Sequence, residues 1–107
     1  MGKTKEAYIR LDKSFLQWRW FKNHKTVIVF LWLLASANLE EEQMFSETVP
    51  RGSILTNNAT IAYECNLTIQ NVRTALSNLQ KTGEITRTYR NHYQIISVTD
   101  FDKYILD

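Results

Sequence analysis

The segment from residue 68 to 82 combines hydrogen-bonding side chains with a complete lack of acidic ones. At about 100° per residue, Ile69, Val72, Leu76 and Leu79 fall on one face of a helix. The opposite face carries Gln70, Asn71, Thr74, Ser77, Asn78 and Lys81, with Arg73 at its edge and Thr68 at its start. Gln and Asn pair with adenine in the major groove, Thr contacts the thymine methyl, and Arg reaches guanine or phosphate. Ordinary exposed helices interleave both charge signs, so this face favours DNA contact over a merely solvated surface.

A second set of candidate contacts follows in the next segment. Arg87, Arg90, Asn91 and His92 suit phosphate or minor-groove contact at the tip of a hairpin. The alternative is a solvated hairpin whose arginines only keep an exposed sheet edge soluble. The helix start at Thr68 adds a further place where a phosphate can bind.

The elements that must position these residues are predicted by local signals. A short helix follows the possible N-caps Thr56, Asn57 and Asn58, and Asn66 tolerates the left-handed conformation of a sharp turn. Thr68 caps a longer helix, which Gly83 ends. Two strand-like runs then predict a β-hairpin. We therefore expect a helix-turn-helix over 58–82, a wing over 84–98, and a winged helix-turn-helix fold overall.

The rest of the chain is predicted to add elements to this single domain over 1–107. The fold class is α+β, mainly α, with extra N-terminal helices and a two- to three-stranded antiparallel β wing. Asp12 or Ser14 caps the first helix, Asn23 caps an apolar, buried second helix, and Asp100 caps the final turn. The additional predicted elements are a helix over 12–20, a helix over 24–38, an acidic loop over 40–43, a strand over 45–49 and a C-terminal turn over 100–106.

Composition excludes several classes of site. Cys65 is the single cysteine among 107 residues, so no internal disulfide or Cys-rich zinc site is expected. The two histidines, His24 and His92, lie in unlike contexts, and no catalytic pair or Gly-rich phosphate loop is present. We therefore expect no cofactor, no metal and no enzymatic activity.

One apolar stretch imitates a secretory signal. Residues 27–37 are apolar, follow lysines and end in Ala35-Ser36-Ala37. The run is far shorter than the ~20 residues of a membrane span, and the long amphipathic stretch before it is unlike a signal peptide. A buried helix and a cytoplasmic location are expected instead, with no membrane association.

Charge is distributed unevenly along the chain. The formal net charge is +2, made up of +5 over 1–25, −4 over 39–64, +3 over 67–97 and −2 over 98–107. Two basic segments separated by an acidic one suggest an anionic partner on one face. A mixed, solvated surface is the alternative.

The order of motifs resembles a known family over roughly residues 7–105. The residues that carry the resemblance are Tyr8-Ile9-Arg10-Leu11, Phe15 and Trp18, the run from Leu31 to Asn38, Pro50-Arg51-Gly52, the run from Ile61 to Thr68, the run from Val72 to Leu79, Thr82-Gly83-Glu84-Ile85, Tyr93-Gln94-Ile95-Ile96 and Asp100-Phe101-Asp102-Lys103-Tyr104. Over these segments the chain resembles the N-terminal domain of phage replisome organisers, which are related to DnaD-like primosome components. The resemblance implies a winged-helix domain that binds origin DNA or self-associates during replication initiation, in a phage, prophage or other mobile element.

Two departures qualify what the resemblance implies. Asn66 stands where the family usually has a turn glycine, and the helix from Thr68 is less basic than is usual, which lowers the expected DNA affinity. A small transcriptional regulator would use the same DNA-binding surface. A different class, a winged-helix interaction module of a primosome, would instead form a homo-oligomer or bind replication proteins through N-terminal helices that contain Trp18 and Trp20.

Overall fold

Three helices of the computed structural model, which describes residues 6–107, pack around one apolar core. They are α1 (His24–Ser36), α2 (Asn58–Cys65) and α3 (Ile69–Lys81), and a short α4 (Phe101–Tyr104) lies near the C-terminus. Phe30 and Leu33 of α1 and Leu76 and Leu79 of α3 are fully buried between the helices. The apolar stretch that imitates a signal peptide is thus a core helix, two residues shorter than predicted. Among the described helices, none has the length and apolar character needed to cross a membrane.

Seven short strands form three antiparallel sheets in the described part of the chain. They are β1 (Tyr8–Ile9), β2 (Glu42–Met44), β3 (Glu47–Val49), β4 (Ser53–Thr56), β5 (Ile85–Tyr89), β6 (Gln94–Val98) and β7 (Ile105–Leu106). The largest sheet has the order β4-β6-β5, in which β5 and β6 are the predicted hairpin. The fold is therefore α+β, with small antiparallel sheets beside the helices.

The segment after α1 differs from the prediction of a loop and one strand. Met44 pairs with Glu47 around a two-residue loop, and the φ angles of Phe45 (49°) and Ser46 (64°) are both positive. Positive φ at both loop residues is the pattern of a tight type I′ hairpin turn, usually made by Asn and Gly. The strand predicted across 45–49 forms only over Glu47–Val49, because Phe45 and Ser46 make a turn that nothing in the residue types marked.

The two ends of the described chain meet in the sheet formed by β1 and β7. Ile9 pairs with Ile105, and the Arg10 N–H donates to the Tyr104 carbonyl at 2.8 Å. The C-terminal turn predicted over 100–106 therefore ends at Tyr104, and the Asp100 side chain makes no capping hydrogen bond. The helix predicted over 12–20 is only a five-residue 3-10 helix (Lys13–Gln17), with Asp12 as its N-cap.

Candidate nucleic-acid interface

Local capping residues hold α3 at a fixed angle to α2. Asn66 adopts the left-handed conformation (φ 55°, ψ 50°) and ends α2, as predicted. The Thr68 hydroxyl accepts from the Asn71 N–H at 3.0 Å, and the Asn71 side-chain oxygen accepts from the Thr68 N–H at 3.1 Å. At the other end, Gly83 has a φ of 85° and the Glu84 N–H donates to the Leu79 carbonyl, which closes the helix by a Schellman motif.

The outer face of α3 is open to solvent and carries no acidic group. Its exposed residues are Gln70, Arg73, Thr74, Ser77 and Lys81. Arg73 and Lys81 make no ion pair with a carboxylate of residues 6–107. Two cations and three hydrogen-bonding side chains are therefore available on one side of a helix that its caps hold rigid.

Three residues of α3 differ from the prediction made on the helical wheel. Asn78 is half-buried and its amide donates to the Thr26 hydroxyl of α1 at 3.1 Å, so the structure does not leave it on the open face. Asn71 is half-buried, and its side-chain oxygen is occupied by the cap. Ile69, predicted in the core, is 44% exposed because it begins the helix, beyond the part that packs on α1.

The arginines of the β5–β6 hairpin are engaged within the protein. Arg87 donates through Nε to Gln80 Oε1 at 2.8 Å and lies over the Tyr89 ring. Arg90 forms a two-pronged ion pair with Glu47 of β3, in which Nη2 lies 3.1 Å from Oε1 and Nε contacts Oε2. This ion pair joins the hairpin tip to the β2–β3 hairpin.

The hairpin tip also carries two exposed polar residues, and its arginine is paired with an ionised carboxylate. Asn91 and His92 are exposed at the tip. The hydrogen bond from Arg90 holds the pKa of Glu47 below its usual value, and the Tyr93 hydroxyl, which donates to Oε2 at 3.1 Å, adds to the effect. At neutral pH the tip is therefore tied down by a charged pair.

The tryptophans belong to the scaffold behind this surface. Each is half-buried, and each indole N–H donates to an acceptor elsewhere in the fold: Trp18 to Glu84 at 3.0 Å, Trp20 to Thr82 at 2.8 Å and Trp32 to Glu64 at 3.4 Å. Trp18 and Trp20 thereby fasten the N-terminal segment to the end of α3.

No protein-family model, curated protein or solved structure matches this chain. The resemblance to phage replisome organisers therefore stays a prediction drawn from the residues.

No three His, Cys, Asp or Glu side chains of residues 6–107 are grouped so as to hold a metal ion. Cys65 is half-buried, and burial raises the pKa of its thiol, with a further contribution from Glu64.

One group of exposed cations was not predicted as a site from the sequence. Arg19, Lys22 and Lys25 lie where the N-terminal segment enters α1, and all three are exposed. The net charge of +5 over residues 1–25 was the signal for them. Sequence alone gave no reason to associate that charge with α3, because the hydrogen bonds that join the two regions are long-range.

Proposed function

We propose that this chain is a winged helix-turn-helix domain that binds double-stranded DNA through α3, in the cytoplasm. The observation that carries the proposal is the outer face of α3, which has three hydrogen-bonding side chains, no acid, and two cations that pair with no carboxylate of residues 6–107. Gln70 and Thr74 suit base edges of the major groove, and Arg73 and Lys81 suit phosphates or guanine. The elements α1, β4, α2, α3, β5 and β6 follow one another in this order, interrupted only by the β2–β3 hairpin after α1, and this order supports a winged-helix assignment with β5–β6 as the wing.

The biological setting follows from the resemblance. Initiation of replication in a phage or other mobile element is the role we favour, with a small transcriptional regulator as the alternative. The two roles use the same protein surface. Mapping whether the preferred site lies within an origin or a promoter distinguishes them.

A titration of labelled duplex DNA followed by fluorescence anisotropy tests DNA binding. The titration is made at about 50 and about 200 mM salt. For each phosphate contact, log binding constant falls with log salt concentration with a slope of about 0.9, so the rise in salt should weaken binding by about 3.5-fold per contact. Arg73→Ala should weaken binding, whereas Lys13→Ala, on the 3-10 helix, serves as the matched control. Arg90→Ala should have a smaller effect than Arg73→Ala because Glu47 already occupies Arg90. Absence of binding by the wild-type protein at the lower salt would refute the proposal.

Self-association is a second candidate function, and one observation favours it. Five large apolar side chains of the N-terminal segment and of β7 are exposed: Tyr8 (58%), Ile9 (39%), Leu11 (41%), Leu16 (61%) and Leu106 (54%). Exposed apolar side chains of this kind mark many protein interfaces. Sedimentation velocity of the wild type and Leu16→Ser tests it, because a dimer through this face should dissociate in the variant while Arg73→Ala remains assembled. A monomeric wild-type protein would rule it out.

A further inference from the structure

The cations of the segment that enters α1 lie beside the C-terminal end of α3. Trp20, between Arg19 and Lys22 in sequence, donates its indole N–H to Thr82 at 2.8 Å. Thr26, one residue after Lys25, accepts from Asn78 of α3 at 3.1 Å. Lys81 lies between these two attachment points along the chain. The segment is thus attached to the C-terminal end of α3 at two points, on either side of Lys81 in sequence.

The backbone of this segment is held in place by its own turns. The Phe21 N–H donates to the Trp18 carbonyl at 2.9 Å, and the Asn23 N–H donates to the Trp20 carbonyl at 2.8 Å. Asn23 then caps α1 by accepting from the Thr26 N–H. The positions of Arg19, Lys22 and Lys25 are therefore set by hydrogen-bonded backbone, although their side chains are free to reach outward.

No carboxylate of residues 6–107 forms an ion pair with these cations, Arg19, Lys22 and Lys25. The first turn of α1 contains no acid. The Glu84 carboxylate accepts from the Trp18 indole and the Thr82 hydroxyl and is a negative charge at this end of α3, but it forms no ion pair with the three cations. By contrast, Arg90 of the hairpin is neutralised by Glu47. The available positive charge next to α3 is thus on the α1 side.

We infer that Arg19, Lys22 and Lys25, together with Lys81, form a second DNA contact that binds the phosphate backbone beside the groove occupied by α3. The inference rests on the proposed function and adds a site to it. Lysine and arginine on one rim of a helix that lies in the major groove meet phosphates rather than base edges. The contact therefore contributes affinity and salt dependence without sequence preference.

The test compares two double variants with the same net charge. Lys22→Gln/Lys25→Gln removes the proposed contact, and Lys13→Gln/Lys103→Gln removes two exposed lysines placed elsewhere; each lowers the formal net charge from +2 to zero. Duplex binding is measured by anisotropy over about 50 to 200 mM salt, and unfolding curves verify that both variants are folded. Losing two phosphate contacts should reduce the steepness of log binding constant against log salt concentration by about 1.8. Raising the salt across this range should then weaken binding by a factor about 12 times smaller than in the wild type. The control pair should keep the wild-type slope.

Each other outcome overturns the inference in a distinguishable way. If the wild type binds duplex and both double variants have the same slope, the proposed function stands and the second contact is wrong. If the wild type fails to bind duplex at the lower salt, the proposed function fails and the inference fails with it. Wild-type binding to phosphatidylglycerol vesicles in place of duplex would assign these cations to a lipid surface and refute both.

Discussion

Substituting alanine for two glycines with nearly the same backbone conformation separates backbone strain from steric overlap. Gly52 has a φ of 81° and Gly83 a φ of 85°. Gly52 lies at the corner where its N–H donates to the Asn38 carbonyl at 2.8 Å and its carbonyl accepts from the Val98 N–H at 2.9 Å. Gly83 ends α3. Both positions penalise an L side chain, but only one of them is crowded.

The magnitudes follow from what a Cβ atom would meet at each site. At Gly83 nothing lies within 4 Å, so Gly83→Ala should cost only the left-handed strain of about 1–2 kcal/mol. At Gly52 the new Cβ would lie 2.8 Å from the Phe101 Cβ and 2.9 Å from its Cγ. The Phe101 Cβ is fixed by its own backbone and no side-chain rotation can move it away, so overpacking adds about 1–3 kcal/mol. Gly52→Ala should therefore cost about 2–5 kcal/mol in free energy of unfolding.

Urea unfolding followed by far-UV circular dichroism measures both variants against the wild type. The expected result is a lower midpoint for Gly52→Ala than for Gly83→Ala, with similar slopes. Equal losses of unfolding free energy in the two variants would refute the reasoning, because they share the strain and differ only in the overlap with Phe101. A Gly52→Ala protein that is unfolded without urea, beside a folded Gly83→Ala, would agree with the expected order.

Three further predictions concern single groups. Because Arg90 lowers the pKa of Glu47, the ion pair stabilises the fold at pH values above the usual pKa near 4.5, and this stabilisation is lost as the pH falls through the lowered pKa. The difference in free energy of unfolding between the wild type and Glu47→Gln should therefore become smaller on acidification. A difference that stays constant with pH would contradict this. Thr68→Ala should lower the free energy of unfolding by about 1 kcal/mol, because the Asn71 N–H in the first turn of α3 loses its acceptor. An unchanged urea midpoint would contradict the role of Thr68 as the N-cap. Since burial raises the pKa of Cys65, its thiol should react with Ellman's reagent more slowly in the folded protein than in urea at pH 8, and equal rates would contradict the burial.

Features of α2 and α3 that depend on near neighbours in sequence could be predicted. Asn66 in the left-handed turn, Thr68 as an N-cap and Gly83 at the helix end are all as expected. Each is set by residues within about one helical turn, where side-chain type and backbone conformation are directly coupled. The β5–β6 hairpin was predicted for the same reason.

Features that depend on distant partners could not be predicted. The helical wheel placed Asn78 on the open face, but its amide meets Thr26, fifty-two residues earlier. Likewise Arg90 was expected to be free to contact phosphate or solvent, whereas its guanidinium donates to Glu47. Glu47 belongs to the β2–β3 hairpin, whose turn has no signal in the sequence. Periodicity gives the direction of a side chain from its own helix and says nothing about which element packs against that direction.

The pairing of β1 with β7 has a mechanical consequence. Tyr8 lies opposite Leu106, so the chain enters and leaves this ribbon at the same end. A force that pulls the two ends apart therefore first loads the ion pair between Arg51 and Asp107, at 2.7 Å, and then loads the hydrogen bonds of the ribbon one after another, as in opening a zipper. The Arg10 side chain, which donates to the Lys103 carbonyl at 3.2 Å, is loaded after them. Under tension the ribbon should open at low force while α1 and α3 stay packed.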